Sequence, residues 1–137
     1  MRTYDSLSIG DSLKAETNAP ISRRTLALFA GASGDHNPIH IDLDFAKEAG
    51  MNDVFAHGML IMAYLGKALG EWFPNSTLKE FGNRFTEITH LKSEITCLGE
   101  VIEKFEENDQ KLVRLKIEAT DQDGNIKLSG QALVALS

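Results

Sequence analysis

The stretch "FAHGMLIMAYLGKALG", residues 55–70, decides how the rest of the chain must be arranged. Lys67 is its one Lys, Arg, Asp or Glu, and almost no polar face recurs at helical spacing. A helix of about 14 residues spans roughly 21 Å, against about 30 Å for the hydrocarbon core of a bilayer. The segment therefore reads as a buried central helix and not as a membrane span. Gly58 near its start and Gly66 within it remove side-chain bulk. They let neighbouring chain come close, at some cost in helix propensity.

Such a helix needs an apolar cover, and the C-terminal half supplies one. "LKEFGNRFTEIT", "LKSEITCLGEVIEKFEE", "KLVRLKIEATD" and "IKLSGQALVAL" are strand-like. Val113, Leu115, Ile117 and Ala119 alternate with Leu112, Arg114, Lys116 and Glu118, which predicts one buried face of period two. "NDQK" and "DQDGN" read as hairpin turns. The expectation is an α+β protein: a mostly antiparallel sheet of at least four or five strands. Because the helix is apolar nearly all round, the sheet is expected to be strongly curved and wrapped around it. A chain of 137 residues suits one domain, 1–137, better than two.

Upstream, residues 1–21 are turn-rich, with room for one or two edge strands. Ser22 is a predicted cap for a helix through "RRTLALFAG", with Leu26, Phe29 and Ala30 on its apolar face and Gly31 at its end. Asn37 followed by Pro38 predicts a single helical turn carrying His40. Asp42 would cap "LDFAKEA", closed by Gly50.

Composition narrows the function classes. With 42% hydrophobic and 25% charged residues, the chain reads as an ordinary globular domain. A net charge of -6 without a basic patch argues against a nucleic-acid partner. It leaves room for an anionic ligand held in a local pocket. Cys97 is the single cysteine, which excludes an internal disulfide and a Cys-rich zinc site and reads as a small core filler. "MRTYDSLSIG" lacks the apolar run of a secretory leader, so the cytoplasm is the expected location. No GxSxG, Walker, dinucleotide-binding or HExxH motif occurs.

The chemistry concentrates in "GASGDHNPIH", residues 31–40. On a regular helix Asp35 and His40 would point roughly 140° apart. Around a Gly-Asp-x-Asn-Pro turn they can face one cavity, where a carboxylate and an imidazole can orient a water and take its proton. The plainer alternative makes Asp35 a turn organiser and His40 a buried, satisfied histidine. Asn37 has its simplest role as cap of the Pro38 turn. At the start of the long helix, Gly58 would offer a backbone N–H to a carbonyl gaining negative charge, or would merely allow close packing. His36 and His90 receive no chemical role, and Arg84 is expected to pair with an acidic residue.

Taken together, "FAGASGDHNPIHIDLDFAKEAG" and "FAHGMLIMAYLG" resemble the hydratase motif of the MaoC-like family. That family includes (R)-specific enoyl-CoA hydratases and (3R)-hydroxyacyl-ACP dehydratases. The likeness is especially close to the catalytic B subunit of the mycobacterial dehydratase, and it covers essentially the whole chain. The resemblance implies a hot-dog fold, a curved antiparallel sheet around a long central helix. It also implies reversible hydration of a trans-2-enoyl thioester of CoA or acyl-carrier protein. The family's catalytic aspartate falls on Asp35, its histidine on His40, its water-site asparagine on Asn37 and its carbonyl-binding backbone N–H on Gly58. No metal, flavin or nucleotide cofactor is implied. The expected assembly is a homodimer, with heterodimerisation also compatible. Two rival functions share the fold: a non-catalytic acyl-thioester-binding subunit, which should lack the Asp or the His, and a hot-dog thioesterase.

Overall fold

The structure is a computed structural model that describes residues 2–136. Strand β1 (Glu16–Thr17) precedes helices α1 (Arg23–Ser33), α2 (Leu43–Glu48) and α3 (Gly58–Trp72). Strands β2 (Thr77–Phe85), β3 (Thr96–Glu107), β4 (Gln110–Thr120) and β5 (Ile126–Leu136) complete the chain. They form one five-stranded sheet in the order β1-β3-β4-β5-β2, with every pairing antiparallel. The β3–β4 hairpin closes through Asn108 and Asp109, both at positive φ. That backbone matches a two-residue primed turn, whose twist suits the flanking strands.

The inner face follows the predicted alternation. Val113, Leu115, Ile117 and Ala119 of β4 are buried, flanked by Cys97 and Val101 of β3 and by Leu128, Ala132 and Val134 of β5. Burial pushes the Cys97 thiol up to about 12, so it stays protonated as a core group. Helix α3 lies against β3, β4 and β5. Its buried residues Ile61, Leu65, Ala68 and Trp72 recur at helical spacing.

Two expectations need correction. The fold is a hot-dog-like α+β arrangement, but its sheet is neither closed nor strongly curled around the helix. The sheet is open, with β1 and β2 at its edges. Helix α3 buries one face, while Met59 and Ala63 on the other remain exposed. An all-round apolar helix suggested an all-round cover; part of that apolar surface instead lines a cavity described below. Helix α1 also runs past Gly31 and ends at Gly34. Gly34 has φ 77°, where glycine is favoured, and its N–H donates to Ala30 O at 3.0 Å. Gly31 carries no such demand. Ser22, Asn37 and Asp42 cap the turns predicted for them.

Candidate active site

The end of α1 hands the chain directly to Asp35. The Ser33 hydroxyl donates to Phe29 O at 2.6 Å, and Asp35 N–H donates to Ser33 Oγ at 3.1 Å. Asp35 Oδ1 accepts from Asn37 N–H at 3.2 Å, and Asn37 Oδ1 accepts from Ile39 N–H at 3.1 Å. Two successive side-chain-to-backbone turns thus shape the segment. They lead into the 3-10 turn Pro38–His40. Asp35 is therefore a turn organiser, yet its second carboxylate oxygen takes no part in that turn.

His40 is buried against residues 55–57. Its Nδ1 lies 2.7 Å from Phe55 O. A carbonyl oxygen only accepts, so Nδ1 carries the proton and Nε2 presents a lone pair. The His57 ring stacks on the His40 ring with centroids 4.0 Å apart and planes at 29°. His57 is 1% exposed, and its Nε2 lies 3.1 Å from Asp35 O. By the same reasoning Nε2 is its donor. Phe29 meets the His57 ring edge-on at 4.9 Å. Burial holds the His57 imidazole below the ordinary histidine value. The bond to Asp35 opposes this shift and His40 adds to it.

Asp35, His40 and His57 each bring one carboxylate oxygen or ring nitrogen within 4.8 Å of the others. Groups at that spacing can act together on one small molecule between them, and a cation is sterically compatible as well. One nitrogen of each ring is committed to a backbone carbonyl, which leaves each histidine a single lone pair.

Gly58 opens α3 immediately after His57, where a helix N–H has no intrahelical acceptor. A Cβ at Gly58 would lie 2.7 Å from Phe85 Cδ1, so only glycine fits without moving that ring. Two cavities flank this point. One, of about 380 Å³, is bounded by Phe55, Gly58, Phe85, Thr86 and Glu87 among others. The other, of about 500 Å³, is lined by Asp35, Phe29, Met59, Met62, Ala63 and Phe81 among others and is mostly apolar.

The structure brings Asp35 and His40 together and sets Asn37 in the turn between them. Gly58 follows the buried His57, which stacks on His40 and bonds to Asp35. The sequence reading gave His57 no role beyond introducing the helix; its position between a predicted turn site and Gly58 was the available signal. His90 bridges Phe55 as an isolated β-pair. Arg84 makes no ion pair among the described residues, contrary to its expected pairing.

Residues 5–123 match the family model described as "MaoC like domain". The chain belongs to this family. It is 29% identical to the (R)-specific enoyl-CoA hydratase of Aeromonas caviae, over 96% of both proteins. It is 28% identical to a mitochondrial 3-hydroxyacyl-[acyl-carrier-protein] dehydratase of Arabidopsis thaliana. That match covers 79% of this chain and 64% of the plant protein. The solved R-hydratase PhaJ1 of Pseudomonas aeruginosa superposes with a TM-score of 0.88 at 30% identity, over 98% of this chain and 84% of that one. The ChsH1-ChsH2 complex of Mycobacterium tuberculosis gives 0.81 at 18% identity, over 95% and 98%, and so shares the fold alone.

Proposed function

We propose that this chain reversibly hydrates trans-2-enoyl thioesters to (3R)-3-hydroxyacyl thioesters. The observation that carries the reading is the Asp35 carboxylate and the His40 imidazole gathered, with His57, within 4.8 Å of one another beside the first turn of α3. The thioester carbonyl sits at Gly58 N–H, which draws charge from the conjugated system and makes C3 electrophilic. Asp35 and His40 hold one water. The pair takes its proton as oxygen adds to C3, and a proton is returned to C2 on the same side. In elimination the same groups take the C2 proton and protonate the departing hydroxyl. Asn37 keeps Asp35 and His40 in register through the turn it organises.

The acyl chain occupies the apolar cavity along Met59, Met62 and Ala63, and the carrier, CoA or acyl-carrier protein, leaves past Phe85. The site works in a dimer. Asp35 and Met59 are exposed in one copy, and β2 offers an open sheet edge with Leu78 and Phe85 exposed beside it. A second copy, or a related chain, would cover these groups; light scattering of the purified chain distinguishes one copy from two. Among the described residues, no helix is long and apolar enough to cross a membrane.

The test is addition of the protein to crotonyl-CoA and to longer enoyl-CoAs. Enoyl absorbance falls as water adds, and no free thiol appears. Thiol release would indicate a thioesterase instead, and no turnover of any CoA or carrier-protein substrate would defeat the reading.

A further inference from the structure

His57 has no step in the chemistry above, yet it touches both groups that do. The structure assigns it a positioning role: through Nε2–H to Asp35 O and a ring stacked on His40, His57 fixes the separation of the two groups that share the water. This inference rests on the hydration reading.

Three observations support it. Among the described residues, the bond from His57 is the only hydrogen bond that joins residues 33–37 to any part of the chain outside residues 29–40. The turn is otherwise tied only to itself, and Asp35 is exposed. Second, His57 is almost completely buried while its Nδ1 has no partner among the described residues. All of its hydrogen bonding goes to Asp35. Third, the near-parallel contact with His40 and the edge contact from Phe29 fix the plane of the ring. One rigid group thereby links Asp35 to the anchored ring of His40. Burial also lowers the His57 imidazole below the ordinary histidine value.

Two substitutions separate the ring from the donor. His57→Phe keeps a flat ring against His40 and removes the donor. His57→Gln keeps an amide N–H near the place of Nε2 and removes the ring. Loss of one hydrogen bond of ordinary strength should lower kcat about tenfold in His57→Phe, with KM nearly unchanged, and His57→Gln should recover most of that loss. A merely structural role predicts that kcat falls in both variants only as far as the folded fraction does, measured by circular dichroism on the same samples. Imidazole ¹⁵N spectra of the wild-type protein give a reading that needs no variant to fold: the proton is expected on Nε2 in His57 and on Nδ1 in His40. A His57 proton on Nδ1, or folded His57→Phe with wild-type kcat, would overturn the positioning role. A wild type inert on every enoyl thioester would overturn the hydration reading and this role with it, whereas wild-type turnover with unaffected variants would overturn this role alone.

Discussion

Phe85 lies across Gly58 so closely that a methyl group there would meet its ring at 2.7 Å. Further along α3, Phe81 lies 3.5 Å from the corresponding point on Gly66. Eight residues of helix rise about 12 Å and four of strand about 13 Å, so the two aromatic–glycine contacts stay in step. β2 therefore runs along α3 with Phe85 at the proposed carbonyl site and Phe81 against the apolar cavity.

Gly58→Ala tests that contact. The added methyl must displace Phe85 or the first turn of α3 and so misaim the N–H at residue 58. Turnover of an enoyl-CoA should fall about 10²-fold, the usual effect of losing one such donor. Thermal stability should change little, because Phe85 is half exposed and its ring can swing aside. Adding Phe85→Leu should restore part of the activity by making room for the methyl.

Asp35→Asn and His40→Ala remove the acid-base groups. Each should lower kcat by at least about 10², since such groups commonly contribute about 10²–10⁴-fold. Their double variant should lose less than the product of the two, because both act on one water. Asparagine at 35 can still accept the bond from Asn37 N–H, so the turn should persist and thermal melts should stay close to wild type. Folded Asp35→Asn protein with near-wild-type hydration would remove Asp35 from the mechanism.

Ala63→Phe places a ring in the cavity of about 500 Å³. It should leave crotonyl-CoA turnover largely intact and depress kcat/KM for an eight-carbon enoyl-CoA by at least about tenfold, the scale of a lost apolar contact or two. Equal losses on both substrates would place the acyl chain elsewhere.

A stability prediction concerns Lys127, which is 5% exposed. Its Nζ lies 3.1 Å from Glu87, 3.4 Å from Asp121 and 3.1 Å from Ile88 O, joining the end of β2 to the β4–β5 turn. Burial alone would raise the Asp121 carboxyl. Bonds from Asn125 and Asp123 together with the charge of Lys127 outweigh it and hold the group below the usual range. A carboxyl lowered in the folded state stabilises the fold above its unfolded value, near 4, and that gain is lost as pH falls through the folded value. Asp121→Asn should lower stability at pH 7 by about 1.5–3 kcal/mol, as for a charged hydrogen bond. Its melting temperature should also fall less steeply than the wild type's below about pH 4.

Much of this architecture is legible in local sequence. The period-two run in β4, the caps at Ser22, Asn37 and Asp42 and the Asp121–Asn125 turn each follow from residue type and spacing. The shape of the sheet is not, because an apolar helix surface looks the same whether a sheet, a ligand or a second chain covers it. Met59 and Ala63, on the exposed face of α3, line the apolar cavity instead. A site role for His57 is not legible in the sequence, because its partners, Asp35 O and the His40 ring, come from a turn 22 and 17 positions earlier. Only the tertiary fold brings them together. The motif pointed to Asp35, His40 and Gly58 as a group, but the tautomer of each histidine required the carbonyls of Phe55 and Asp35.

The most direct test of the central claim is the configuration at C3 of the product formed from crotonyl-CoA, determined by chiral chromatography after the wild-type protein has consumed the substrate. The account predicts (3R)-3-hydroxybutyryl-CoA with the thioester intact, and no product from Asp35→Asn beyond about one hundredth of the wild-type amount in equal time. A (3S) product, free crotonate, or no reaction with any enoyl thioester would contradict it.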